Sequence, residues 1–164
     1  VLHCIGDFER ISDHAINIME AAQEMHNKKL TFSPKAEEEL KVFSRAVQDI
    51  VEKAYAVFRD QDEKLAQKVE PLEAVVDDLN QEVKKRHIRR LRNGKCTIEL
   101  GFILSDITTS LERVADHCSN IAVCVTQVRD DTYDTHGYLN SVKNEDSEIF
   151  RGLVLEAEEK YLLP

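Results

Sequence analysis

The sequence contains little that would interrupt a helix. Among its 164 residues there are only five glycines, three prolines and no tryptophan. Long helices need few such breakers, whereas sheets joined by tight turns need many. The composition therefore favours an all-α bundle over a sheet, and the length suffices for one domain with a hydrophobic core.

Long apolar runs and paired cysteines are missing as well. No apolar run approaches the ~18 residues of a membrane-spanning helix, so no spanning helix is expected. No signal peptide is expected either. The four cysteines lack the spacing of a zinc site or a disulfide framework, which indicates a reducing compartment. The chain opens on Val1 in the middle of a pattern rather than on methionine, which indicates a piece of a longer protein.

Charge and motif content restrict the function further. The formal net charge of −9 argues against nucleic-acid binding and permits cation binding. The sequence has no nucleophile–base set, no glycine-rich phosphate loop and no Cys/His pair with catalytic spacing. It therefore predicts a protein that is not an enzyme.

One stretch of the sequence occurs twice. Residues 7–18 read DFERISDHAINI and residues 110–121 read SLERVADHCSNI, at a constant offset of 103 residues. Six of the twelve positions are identical: Glu9/Glu112, Arg10/Arg113, Asp13/Asp116, His14/His117, Asn17/Asn120 and Ile18/Ile121. An internal repeat of this kind predicts two copies of one structural unit.

Helical spacing separates the repeated residues into an apolar and a polar face. Apolar residues of the second copy recur at intervals of four and three from Ile107 to Val128, as in an amphipathic helix. The first copy is predicted to bury Phe8, Ile11, Ala15, Ile18 and Ala22. The opposite face of each copy carries oxygen ligands one turn apart: Glu9, Asp13 and Asn17, then Glu112, Asp116 and Asn120.

Similar spacing predicts the other helices. The predicted helices span residues 2–26, 34–60, 62–92, 97–128 and 147–162, with a polar loop at residues 129–146. Pro71 is expected either to kink its helix or to start a new one. Helices 34–60, 62–92 and 97–128 form an antiparallel up-down-up bundle. The last helix is predicted to bury Ile149, Phe150, Leu153, Ala157 and Tyr161.

A third acidic pair, Glu73 and Asp77, has the same angular position on helix 62–92 as Glu112 and Asp116 have on theirs. Chance alone gives roughly six pairs of acidic residues at this spacing. The evidence for a site is therefore that the pair recurs and has the same helical phase on each helix. Carboxylates on adjacent helices repel unless a cation lies between them, and oxygen ligands suit Mg, Mn, Ca or Fe. The alternative is a solvated acidic face balanced by Arg10 and Arg113.

The histidines of the repeat favour a structural role. His14 and His117 follow the aspartates by one residue, which rotates them about 100° away from the carboxylates. The Glu-x-x-His pattern of di-iron bundles is absent, since Ser12 and Ala115 stand at the third position after Glu9 and Glu112. Interhelical hydrogen bonds or capping are therefore predicted for both histidines.

A basic run ends the predicted helix 62–92. It comprises Lys84, Lys85, Arg86, Arg89, Arg90, Arg92 and Lys95. Cations are favoured at a helix C-terminus by the helix dipole, which predicts a solvated helix end. A contact with anionic lipid or phosphate is the alternative.

The two motifs, ERISDH…N and ERVADH…N, resemble those of the PhoU family. Residues 86–122, RHIRRLRNGKCTIELGFILSDITTSLERVADHCSNIA, are similar more narrowly to the PhoU-like domain that follows the membrane part of bacterial sodium-dependent phosphate cotransporters. The HGYL and EAEEKY segments resemble the tail of that subgroup. The resemblance covers nearly the whole chain and implies two three-helix repeats. Residues 1–30 would be the last helix of a truncated first repeat, residues 31–128 a complete second repeat, and residues 129–164 a loop and C-terminal helix.

The resemblance also implies a metal site, because acidic pairs on two helices of a PhoU repeat bind iron or zinc clusters at the bundle surface. Carried over to this sequence, one site comprises Glu73, Asp77, Glu112 and Asp116, and a second half-site comprises Glu9 and Asp13. Iron or zinc is the metal expected from the resemblance, ahead of manganese or magnesium. No organic cofactor is expected.

The function implied by the resemblance is regulatory. The chain would be a cytoplasmic PhoU-like domain of a sodium-dependent phosphate cotransporter, in contact with the membrane part and capable of forming a homodimer. Two alternatives remain open. One is a stand-alone PhoU-type adaptor that represses phosphate-uptake signalling, and the other is a metal-free oligomerisation bundle.

Overall fold

A computed structural model describes residues 2–130 and 147–164, and all of its regular elements are helices. They are α1 (Leu2–Lys28), α2 (Pro34–Asp60), the single turn α3 (Glu63–Ala66), α4 (Val69–Arg92), α5 (Ile98–Asp130) and α6 (Ser147–Lys160). The all-α prediction is confirmed. None of the described helices is long and apolar enough to cross a membrane. The predicted loop at residues 129–146 lies largely outside the described residues.

Helices α2, α4 and α5 form an antiparallel three-helix bundle around the core. Side chains from all three are fully or almost fully buried, among them Phe43, Ile50, Val57, Val76, Val83, Leu104 and Cys118. Helix α1 packs along α5, and α6 packs along α4. The core is built from the positions that recur at threes and fours, as the amphipathic patterns require.

Local signals set the ends of these helices. Ser33 caps α2 by accepting a hydrogen bond from the amide of Ala36 at 3.3 Å, and Pro34 follows it as the first helical residue. Pro71 lies in the first turn of α4, where its missing N–H costs nothing. It therefore starts a new helix after α3 rather than kinking a continuous one. Gly94 ends α4 at φ +65°, a conformation that a Cβ atom disfavours.

The predicted inward face of α1 is partly wrong. Phe8, Ile11 and Ile18 contact the rest of the protein, but Ala15 and Ala22 are exposed. Helix α1 packs against α5 along one side only, so only one face of α1 is covered. Ile16 and Met19, which are 51% and 60% exposed, lie on the uncovered side.

Three of the cysteines pack as small apolar side chains. Cys4 and Cys118 are buried, and Cys124 is half-buried. Burial raises the pKa of both the Cys4 and the Cys118 thiol to about 12, so each stays protonated at neutral pH. Their chemistry is therefore that of core residues.

Helix α6 is anchored at its C-terminal end. The Tyr161 hydroxyl donates to Asp49 Oδ2 at 2.7 Å, and Lys160 Nζ donates to the same oxygen at 3.0 Å. The prediction for Tyr161 is confirmed, since its side chain is buried, whereas Ile149 is 61% exposed and was wrongly predicted to be inward. Ile149 lies in the first turn of α6, at the end of the helix opposite this anchor.

The Asp49 anchor should make stability depend on pH. Burial alone would raise the pKa of Asp49, but hydrogen bonds from Lys53, Tyr161 and Lys160 hold it at about 2, below its usual 3.8. The unfolded chain therefore binds the proton first, so the stabilisation is complete above about pH 4 and disappears as the pH falls towards 2. Asp49→Asn is expected to lower the free energy of unfolding at neutral pH by about 2 kcal/mol.

Urea denaturation over a pH series measures this effect. The exposed Asp106→Asn substitution on α5 is the matched control and should change stability by less than about 0.5 kcal/mol. If the deficit of Asp49→Asn stayed constant down to about pH 2, the ionised carboxylate would not be the source of the stabilisation.

Candidate metal site at the α4–α5 seam

Antiparallel packing of α4 against α5 brings two acidic pairs together on the surface. Single carboxylate oxygens of Glu73, Asp77 and Asp116 all lie within 4.8 Å of one another. All three side chains are half-buried. The fourth predicted residue, Glu112, lies one turn from Asp116 and is also half-buried. These four residues are called the acidic row below.

Electrostatic crowding is visible at Glu112. Burial raises the pKa of its carboxyl group, and the nearby charges of Asp116 and Asp77 raise it further. Arg113 and Lys84 act in the opposite direction but do not cancel the effect. A negative charge here is therefore costly, and a bound cation would remove that cost.

The spacing of the oxygens suits a cation. Oxygen ligands lie about 2.0–2.6 Å from a metal ion, so two ligands on opposite sides of one ion are roughly 4–5 Å apart. The separations among Glu73, Asp77 and Asp116 fall inside this limit. Glu73, Asp77 and Asp116 could therefore hold one ion with small rotamer changes, and Glu112 could supply a further oxygen.

Arg113 is a competing partner of Asp116 and Glu112. Its Nη1 lies 3.1 Å from Asp116 Oδ2, and its Nε lies 3.7 Å from Glu112 Oε2. The Arg113 side chain is 55% exposed, so these ion pairs are weak. The geometry is thus compatible with either a metal site or a solvated acidic face with an arginine counter-charge.

The other predicted pair is not brought into a comparable group. Glu9 and Asp13 lie on an exposed part of α1, and Asp13 makes only a long ion pair with Arg10 at 3.5 Å. Within residues 2–130 and 147–164, no third acidic, histidine or cysteine ligand joins them. Of the six predicted metal residues, Glu73, Asp77 and Asp116 therefore lie within ligand distance of one another, and Glu112 lies one turn beyond Asp116. Glu9 and Asp13 stand apart from this group.

The repeated histidines lie in the interface between α1 and α5. His117 Nδ1 and Asp7 Oδ1 are 2.9 Å apart, and the His14 and His117 rings stack with centroids 5.7 Å apart. Burial lowers the pKa of His14, and the neighbouring His117 and Arg113 lower it further. The predicted interhelical role is confirmed for His117.

Two buried glutamates were missed by sequence reasoning. Glu70 precedes the acidic row by one turn and accepts a hydrogen bond from Ser119. Glu39 is only 3% exposed and lies beside Arg86 and Arg90. The available signal was position: each glutamate occupies an apolar-face register of its helix, where a charged residue needs a partner.

The sequence is similar to proteins of one known family. The PhoU domain family model matches residues 40–125, just over half of the chain. Phosphate-specific transport system accessory protein PhoU homolog 1 of Thermotoga maritima is 29% identical over 121 residues, which are 74% of this chain and 51% of the relative. The chain thus spans about half the length of this curated relative. No solved structure matches the chain significantly.

Proposed function

The chain belongs to the PhoU family, and from this premise we propose that it is a regulatory domain of a sodium-dependent phosphate cotransporter. The domain lies at the cytoplasmic face of the cell membrane and contacts the membrane part of the transporter. It modulates phosphate uptake through these contacts and carries out no catalysis. The motif-bearing segment of residues 86–122 and the EAEEKY tail support this context through their resemblance to that subgroup.

The acidic row is the observation that carries the proposal. Glu73, Asp77 and Asp116 come from two helices and meet on the bundle surface, where a cation would join α4 to α5. Iron or zinc is the proposed metal, with manganese or magnesium as weaker candidates. When bound, the ion neutralises the crowded carboxylates and stiffens the seam as a docking surface.

The domain organisation is part of the proposal. Residues 1–30 are the final helix of a first PhoU repeat, residues 31–128 are the second repeat, and residues 129–164 are a loop and terminal helix. The stacking of His14 on its repeat counterpart His117 supports this division. So does the uncovered side of α1, which in this chain is available to a further helix or a second copy.

A stand-alone adaptor is the second candidate. The Thermotoga relative is named an accessory protein of a phosphate-specific transport system, which favours this reading. A metal-free oligomerisation bundle is the third candidate, and exposed Ile16 and Met19 on α1 favour it. The metal content of the chain separates this third candidate from the other two.

Transport measurements separate the first two candidates. The complete protein that contains this chain is reconstituted into vesicles, and sodium-driven uptake of radiolabelled phosphate is measured with and without residues 1–164. A change in uptake rate with unchanged sodium dependence supports a regulatory domain. A complete protein without membrane-spanning helices, which instead binds a separate transporter or sensor kinase, would support the adaptor and contradict the cotransporter.

A further inference from the structure

One end of the α4–α5 pair carries a charge opposite to that of the rest of the chain. Residues 84–102 contain seven lysines and arginines and one acidic residue, Glu99, which gives a net charge of +6. The chain as a whole carries −9, so the remaining residues carry −15. Such a separation of charge creates a local positive field on an otherwise acidic protein.

Part of this positive charge has no structural partner. Arg86 and Arg90 pair with the buried Glu39. Lys84 donates to Thr109 at 3.2 Å, and Lys85 lies 3.4 Å from Glu82. The side chains of the remaining group are exposed and make no hydrogen bond or ion pair with any described residue. This group consists of Arg89, Arg92 and Lys95. Internal stability therefore does not explain these three cations.

Large apolar side chains are exposed at the same end. Ile88 is 50% exposed, Ile98 72% and Phe102 70%. The last two lie one turn apart near the start of α5, and Ile88 follows Lys84 by one turn on α4. A Cβ on Gly101 would lie 3.5 Å from Leu91 Cδ1, so the end of α4 and the start of α5 are side by side. These three apolar residues and the three free cations are called the basic–apolar end.

We propose that the basic–apolar end binds the surface of an anionic phospholipid bilayer. Ile98 and Phe102 insert among the lipid headgroups and acyl chains, while Arg89, Arg92 and Lys95 contact lipid phosphates. Exposed apolar side chains beside exposed cations are typical of helices that lie at a membrane surface. In such helices the apolar side chains enter the bilayer and the cations contact the headgroups. The net charge of +6 on residues 84–102 complements anionic lipid headgroups, and the exposed Ile98 and Phe102 suit the acyl chains beneath them, which favours a bilayer as the partner.

The proposal also fits the position of the acidic row. Asp77 and Arg92 are separated by about 20 Å along α4, more than twice the distance over which salt screens charge. The bilayer would therefore attract one end of the helix without repelling the other end strongly. This inference does not depend on a bound metal or on a role in phosphate uptake.

Vesicle flotation tests the electrostatic part. The chain is expected to float with vesicles of phosphatidylcholine containing roughly one-third phosphatidylglycerol, and not with phosphatidylcholine alone. The triple substitution Arg89→Gln, Arg92→Gln and Lys95→Gln should lower the partition coefficient by on the order of a hundredfold, at about 1 kcal/mol for each cation.

A charge-matched control separates a local surface from a general charge effect. Arg59→Gln, Lys64→Gln and Lys68→Gln remove three exposed cations at the opposite end of the bundle, between the end of α2 and the start of α4. This control should float almost as well as the unsubstituted chain. Equal losses in both triple variants would overturn the proposal. The proposal would also be overturned if the unsubstituted chain did not float with anionic vesicles. An acidic protein would then be the remaining candidate partner.

The apolar part has its own test because the chain lacks tryptophan. Phe102→Trp introduces a single indole, whose emission should shift to the blue and be quenched by brominated lipid when anionic vesicles are added. Phe102→Ser should lower partitioning by at least about tenfold. An indole that stays in water while the chain floats would contradict insertion.

Discussion

Asp77→Asn with Asp116→Asn is expected to abolish metal binding. The unsubstituted chain, purified without chelator or affinity tag, should contain about one ion per chain of iron or zinc, and the variant only a trace. The substitutions remove one charged ligand from each side of the seam and keep the side-chain shape. Elemental mass spectrometry measures the metal content.

The same variant shows whether metal binding and folding are separate. Without metal it should be at least as stable as the unsubstituted chain, because it relieves the crowding around Glu112. Added metal at about 100 times its dissociation constant should stabilise only the unsubstituted chain, by about 2.7 kcal/mol. Calorimetric melting curves with and without metal measure both effects.

The first copy of the repeat supplies the matched control. Glu9→Gln with Asp13→Asn also removes two charges from an acidic pair of the same motif, but no third ligand faces this pair among the described residues. The control should keep its full metal content. Equal trace metal in all three proteins would mean that the acidic row is a solvated face, with Arg113 as its counter-charge.

Arg90→Met should strongly destabilise the fold. Arg90 Nη1 lies 3.0 Å and 2.8 Å from the two carboxylate oxygens of Glu39, which is 3% exposed. Removing the arginine leaves a buried carboxylate with Arg86 as its remaining cation, at 3.4 Å. The expected loss is about 3 kcal/mol in the free energy of unfolding, or a fall of about 6–12 °C in Tm.

Arg89→Met on the same helix is the control for this loss. Arg89 is exposed and makes no ion pair with a described residue, so its substitution should change stability by less than about 0.5 kcal/mol. Replacing Glu39 by leucine together with Arg90→Met should recover much of the loss, since an apolar pair then fills the site. If Arg90→Met lowered the free energy of unfolding no more than Arg89→Met does, the Arg90–Glu39 pair would have no stabilising role.

The sequence predicted the bundle because its signals are local. Helix α2 begins and ends at the predicted residues, since Ser33 and Pro34 specify its start and the left-handed Gln61 follows its end. The meeting of Glu73 and Asp77 with Asp116 was also predictable. It required only the helical phase of two segments and a short connection that makes them antiparallel.

The errors arose where packing depends on distant parts of the chain. The apolar pattern of α1 cannot show that only one side is covered, which is why Ala15 and Ala22 were misplaced. Glu39 looked like one of many surface glutamates, because its arginine partners lie about 50 residues away. Periodicity identifies a face, but not the number of neighbours that pack against it.

The stacked histidines have a consequence for how the two copies of the repeat can diverge. Asp7 contacts His117 and Asn120, whereas its counterpart Ser110 has a different side chain, so either position has varied alone. His14 and His117 instead stack on each other, with ring centroids 5.7 Å apart. A substitution of either histidine therefore alters its contact with the equivalent residue of the other copy. Equivalent residues meet here as they do in a symmetric dimer, but a mutation in this chain changes only one of the two.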